Sequence, residues 1–238
     1  MSIKVVGVTS FLAAGLVLSS ASFFPANAYG VTPDKAITLN KGDIDRRLDL
    51  ISWLVPAGTG TLPGDLSAEA FVTVVDLQAN YLDLSFEITN TTADTFKAAI
   101  LGFGLGIDPD ASSVTLLSKG SVFDSATLLK NQSFPGGFKG IDICGFAANN
   151  CQGGDIKDGL LNGKTDKFTL RIGNETGGFA NGVTITSYPV KFQTDYGSYE
   201  AAGVPEPITI VGSGLALGFG ALLKREAAKK TSKTKAKV

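Results

Sequence analysis

Leu82, Leu84, Phe86 and Ile88 alternate with Asp83, Ser85, Glu87 and Thr89. A period of two puts one set on a buried face and the other on a wet one, so this stretch predicts a half-buried β-strand. Asn90-Thr91-Thr92 closes it with turn-forming residues. Ala70–Leu77 precedes it with the strand formers Val72, Val74 and Val75, and Asn80 lies near the expected hairpin turn. Phe168, Leu170 and Ile172 alternate with Thr169 and Arg171; Val183 with Ile185, and Val190 with Phe192, mark two shorter strands. Ala98–Ile107 is apolar throughout with three glycines, the pattern of a central strand buried on both faces. Asp43–Val55 fits two periods: Ile44, Leu48 and Ile51 suit a helix, while Leu48, Leu50 and Leu54 suit a strand. Short strands separated by Gly, Asn and Asp turns predict a mainly β body, an antiparallel β-sandwich of jelly-roll or Ig-like type.

The two ends follow other rules. Lys4 precedes the mostly apolar run Val5–Leu18, no charge follows until Asp34, and Ala26-Asn27-Ala28 puts small residues at the −3 and −1 positions of a cleavage site. Charge, apolar stretch and A-x-A in that order predict a secretory signal over 1–28, with signal peptidase cutting after Ala28. An uncleaved membrane anchor is the competing reading.

At the other end, Pro205-Glu206-Pro207 forces an extended segment, because each ring fixes φ and disfavours helix at the residue before it. The uncharged run 208–223 then predicts a transmembrane helix about 24 Å long, short of a hydrocarbon core of about 30 Å. Gly214-x-x-x-Gly218 is a spacing that permits close helix contact, or simply loosens the helix. Lys224, Arg225, Lys229 and Lys230 open a basic tail that holds the C-terminus in the cytoplasm and leaves the body across the membrane.

Pro205-Glu206-Pro207, a glycine-interrupted apolar segment and a terminal Arg/Lys cluster together resemble the PEP-CTERM sorting signal. The resemblance covers 204–238 and implies recognition of Pro205, Glu206 and Pro207 by an exosortase. It further implies removal of the helix and tail and delivery to the cell surface or the exopolysaccharide matrix. The chain thus divides into a signal peptide (1–28), an exported domain (29–203) and a sorting segment (204–238).

Charge and composition restrict what the body does. Tyr29–Gly203 carries 20 acidic and 13 basic residues, a net charge of −7, whereas the last 15 residues carry +6. An acidic body argues against nucleic acid as its ligand. The sequence has no histidine, which removes the commonest general base, the commonest zinc ligand and every Ser-His or Cys-His pair.

Cys144 and Cys151 are the only cysteines and lie in a Gly/Asn-rich segment. In an exported chain such a pair reads as a disulfide. A redox pair prefers C-x-x-C spacing, and a metal site needs two further ligands. The Cys144…Asn149-Asn150-Cys151 loop, upstream of such a tail on a β-rich body, resembles the cistern family of PEP-CTERM proteins.

Other candidates are weaker. Asp108 with Asp110, and Asp155 with Asp158, cluster oxygens that suit calcium but lack EF-hand spacing; solvated turns explain both. Trp53, Tyr188, Tyr196 and Tyr199 are candidates to stack on sugar rings, with core packing as the competing role. Asn90-Thr-Thr92, Asn131-Gln-Ser133 and Asn174-Glu-Thr176 match the glycosylation sequon and suit strand-end turns equally. The expectation is a non-enzymatic surface or matrix protein without cofactor, associated with exopolysaccharide. A carbohydrate-binding module and a membrane-anchored periplasmic hydrolase using carboxylates are the alternatives.

Overall fold

The computed structural model describes residues 28–29, 36–130, 132–148 and 150–205. The apolar run 5–18 read as a signal peptide, Glu206, Pro207, the 208–223 segment read as a membrane helix and the basic tail lie outside the described residues. No helix among the described residues is long and apolar enough to cross a membrane.

The body is mainly β, with two antiparallel sheets facing each other as a sandwich. One sheet contains β3 (Ile51–Val55), β4 (Leu66–Gln78), β5 (Tyr81–Asn90), β7 (Ser113–Ser118), β11 (Thr165–Gly173) and β15 (Val204–Pro205), in the order β15-β3-β4-β5-β11-β7. The period of two holds in β5 and β11: Leu82, Leu84, Phe86, Ile88, Phe168, Leu170 and Ile172 are all buried. In β4 it changes phase. Leu66, Ala68, Ala70, Val72 and Val74 point inward, a bulge follows between Val74 and Asp76, and Leu77 is the next inward residue. Val75 is exposed by ordinary alternation after Val74, and the bulge keeps Asp76 off the inward face that it would otherwise take.

The other sheet contains β1 (Ala28–Tyr29), β2 (Ile37–Leu39), β6 (Ala98–Asp108), β8 (Ser125–Leu128), β9 (Ile143–Phe146), β10 (Leu160–Leu161), β12 (Val183–Ser187), β13 (Val190–Thr194) and β14 (Gly197–Ala201). As its apolar run predicts, β6 is central. It pairs with β13 and β12 along one edge and with β10 and β9 along the other, and all of it except Asp108 is buried. Among the described residues the single parallel pairing joins β1 to β14, with Ala28 opposite Glu200 and Tyr29 opposite Ala201.

The ambiguous stretch resolves into two extended pieces rather than a helix. Asn40 caps a 3-10 turn at Lys41–Asp43 in a capping box. Residues 45–48 then lie along β4, with Leu48 N–H donating to the Val72 carbonyl and Arg47 bridged to Thr73. The chain resets before β3, whose register is fixed by Ile51 opposite Ala70, so Ile51, Trp53 and Val55 point inward and Leu54 is exposed. Of the two sets the stretch allows, the strand set Leu48, Leu50 and Leu54 is buried only at Leu48, since the chain is not one uninterrupted strand, and Leu48 and Ile51 of the helix set are buried in extended backbone.

Four rings join the sheets. Phe103 of β6 lies 5.4 Å from Phe86, 5.6 Å from Phe123 and 5.2 Å from Phe168 between ring centroids. The second face of β6 is roofed by residues 129–154, where Leu129, Phe134, Ile141, Cys144 and Cys151 form a smaller cluster. Gly104 permits this close approach: a Cβ there would stand 2.8 Å from Ile141 and 3.1 Å from Phe134. Cys144 and Cys151 are joined by a disulfide within the roof, with Cα atoms 6.2 Å apart.

Candidate functional site

The open concavity of the body lies where the 91–97 loop, β10, the 3-10 turn at Ile156–Asp158 and the β13–β14 turn meet. Two adjoining depressions of about 400 and 540 Å³ share Lys97, Ile156 and Leu161. Asn162 builds one wall: its amide donates to the Ala93 and Phe96 carbonyls at 3.0 Å, and its oxygen accepts from Ala98 N–H at 2.8 Å. The β13–β14 turn is set by Thr194, whose hydroxyl accepts from Tyr196 N–H and donates to the Gly197 carbonyl. The turn holds Tyr196 against Phe96, edge to face at 5.9 Å, with Tyr196 45% exposed.

The concavity has an apolar floor (Phe96, Ile156, Leu161) and a rim of both charges (Asp94, Lys97, Asp155, Lys157, Lys164, Asp195). Lys157 pairs with Asp155 at 3.5 Å in full contact with water. Such a surface offers an aromatic ring and several hydrogen-bonding side chains to a flat polar ligand.

The aromatic candidates separate. Trp53 is buried and its indole N–H donates to the Tyr188 carbonyl at 2.7 Å. Tyr188 is buried, which pushes its phenol well above the usual tyrosine range. Tyr199 is buried beside them in the core cluster. Tyr196 alone of the four is exposed; it packs on Phe96, beside the concavity rather than in its lining.

The carboxylate candidates stand in two places. Asp108 and Asp110 flank a cis peptide bond and lie near Asp142, whose carboxyl is pushed up by burial and by the charges of Asp110 and Asp108, against a hydrogen bond from Ile107 N–H at 2.6 Å. Asp155 and Asp158 belong to the 3-10 turn at the rim. Among the described residues no group of three or more His, Cys, Asp or Glu side chains is arranged to hold a metal ion. The sequon residues Asn90 and Asn174 are buried at strand ends, where Asn90 donates to the Leu160 carbonyl and Asn174 accepts from Thr176 and Gly178. Asn131 lies outside the described residues.

At the processing candidates, Ala28 is in β1 on the edge of the nine-stranded sheet, and Pro205 is buried on the edge of the other sheet opposite Ile51. Ala26, Glu206, Pro207, Lys224, Arg225, Lys229 and Lys230 lie outside the described residues.

Two features escaped the sequence. Asp166 accepts four hydrogen bonds, from the N–H groups of Ser121, Val122 and Phe123 and from the Ser121 hydroxyl, and so ties the β7–β8 connection to β11. Lys191 and Glu200 form an ion pair at 3.1 Å, almost wholly buried beneath the roof. Lys191 stands between Val190 and Phe192 and reads in the sequence as a wet-face residue; only the roof over that face makes it internal. No family model matches the chain, and no curated protein matches it in sequence.

Proposed function

We propose that this chain is an exported bacterial precursor whose sandwich body, with no enzymatic activity of its own, is delivered to the cell surface or the exopolysaccharide matrix. In this reading signal peptidase removes 1–28, and an exosortase recognises Pro205-Glu206-Pro207 and removes the membrane segment and the basic tail.

The observation that carries the reading is the position of the two junctions. Tyr29 pairs with Ala201, and Val204 follows only three residues later. Both junctions sit on two-residue edge strands, β1 and β15. A body with both junctions at one corner can hang from a membrane by either end. It can lose either extension without disturbing a central strand. The finer jelly-roll or Ig-like topology belongs to the same proposal, supported by pairings between strands distant in sequence, such as β5 with β11 and β6 with β13. The test is fractionation of the host with and without its exosortase. Loss of the enzyme is expected to trap the protein in the membrane fraction; unchanged surface delivery would reject the proposal.

The concavity favours one second reading, a carbohydrate-binding module of the matrix. Tyr196 held on Phe96 beside the rim charges of Lys97 and Asp195 is the supporting feature. Calorimetric titration with fragments of the host polysaccharide decides it: binding lost in Tyr196→Ala supports it, and no heat at millimolar ligand rejects it.

A further inference from the structure

Glu200 is fully buried, and its two carboxylate oxygens are not equivalent. Oε1 accepts from Lys191 Nζ at 3.1 Å, while Oε2 has no hydrogen-bond partner. A sealed carboxylate oxygen without a partner is costly and rare in a folded protein.

The neighbours of Glu200 show what is missing. β14 lies between β13, which supplies Lys191, and β1, in which Ala28 stands opposite Glu200. The 3-10 turn Pro135–Gly137 packs on both β1 and β14. It closes directly over the carboxylate: a Cβ on Gly136, at φ 77°, would stand 2.9 Å from Glu200 Cβ and 3.2 Å from Oε2. Lys191 is roofed in the same way by Gly153, two residues beyond the disulfide. One flank of Glu200 therefore holds a cation, and the other holds the backbone of residues 28–29.

Hydrolysis of the Ala28–Tyr29 peptide bond changes that flank. Water adds a hydroxyl to the Ala28 carbonyl carbon and a proton to the Tyr29 nitrogen. At neutral pH the freed amine takes up a further proton. A neutral amide with one N–H becomes an ammonium with three, beside a carboxylate that has an unused oxygen. We propose that Glu200 Oε2 is the binding site for the chain's own new amino terminus, the α-ammonium of Tyr29 created by signal removal. Glu200 then bridges two cations, Lys191 on one side and the terminus on the other. Charge-assisted hydrogen bonds of this kind are the strong ones, and this one forms only after processing. Removing the leader takes Ala28 with it, and the new terminus would then hold Tyr29 in its place beside β14 and complete the buried network. The proposal rests on the export reading, since it needs the cut after Ala28.

The test uses the processed protein purified from its host. Its amino-terminal mass is measured first, and a start other than Tyr29 removes the premise along with the expected cut. With Tyr29 at the terminus, acetylation of the α-amine is followed by peptide mass spectrometry at pH 7, where an ordinary α-amine titrates near 7.7–8.0. Pairing is expected to slow acetylation at least about tenfold relative to the same protein in denaturant, equivalent to raising the amine's titration by about one unit. Glu200→Gln, confirmed as folded by circular dichroism, is expected to restore the fast rate. If that variant does not fold, the comparison of native with denatured wild type decides alone. Equal rates in native and denatured protein, or a native rate unchanged by Glu200→Gln, would overturn the pairing while leaving the export reading intact.

Discussion

Phe103 of β6 and Phe168 of β11 stack across the interior with centroids 5.2 Å apart and planes 26° from parallel. The two strands belong to opposite sheets, so this contact binds the halves of the sandwich together. Phe168 also stacks on Phe86 at 5.2 Å. Phe168→Ala is expected to cost about 3–5 kcal/mol, since the cavity adds to the lost transfer energy. Urea unfolding checks this: the midpoint should fall with the slope unchanged.

Asp166 should dominate the acid response of the β7–β8 connection. Burial alone would raise its carboxyl, but the hydrogen bonds from Phe123, Val122 and Ser121 outweigh burial and hold it below the ordinary value of 3.8. A carboxyl lowered in the folded state contributes stability in full above its unfolded value and loses it as pH falls through the folded one. Asp166→Asn is expected to cost about 2 kcal/mol at pH 7. The gap from wild type should narrow below about pH 4 in denaturation curves taken across pH.

Lys191 and Glu200 present the opposite sign. Burial raises the Glu200 carboxyl and Lys191 opposes the rise. Because the folded value lies above the unfolded one, this group's stability contribution is full below the unfolded value and is lost as pH rises through the folded one. In a chain that still carries residues before Tyr29, Lys191→Met should cost about 3–5 kcal/mol by leaving a buried carboxylate unpaired, and should steepen the loss of stability with rising pH. The double variant Lys191→Met/Glu200→Gln should recover most of the loss. Chemical denaturation at several pH values reads both effects.

The disulfide closes an eight-residue loop within the roof. Its reduction should remove about 2.5 kcal/mol by the chain-entropy relation. It should also loosen Gly153 over Lys191, read as faster hydrogen exchange in residues 143–154 than in β5 and β11.

Much of the six-stranded sheet was legible because its strands have one wet face: Asp83, Ser85 and Glu87 between Leu82, Leu84, Phe86 and Ile88 spell the alternation directly. The apolar run of β6 spelled its central place as well. The phase change at Val75 was hidden, since a bulge leaves no mark in residue type. The roof over β6 was hidden more deeply. Apart from β9 and one 3-10 turn, the described part of 129–154 is loop, and its role in burying Lys191 and Glu200 depends on glycines at 104, 136 and 153 meeting partners far away in sequence. For the same reason nothing in residue type marks Lys191 as buried, and core packing, the role weighed against sugar stacking for the aromatics, holds for Trp53, Tyr188 and Tyr199; the concavity beside Tyr196 depends on Asn162 reaching back to the 93–98 segment.

Intact mass of the protein recovered from the host surface tests the central claim most directly. The account predicts a chain that begins at Tyr29 and has lost Lys224–Val238, carrying one disulfide. A surface form that still contains Lys224–Val238 would contradict it.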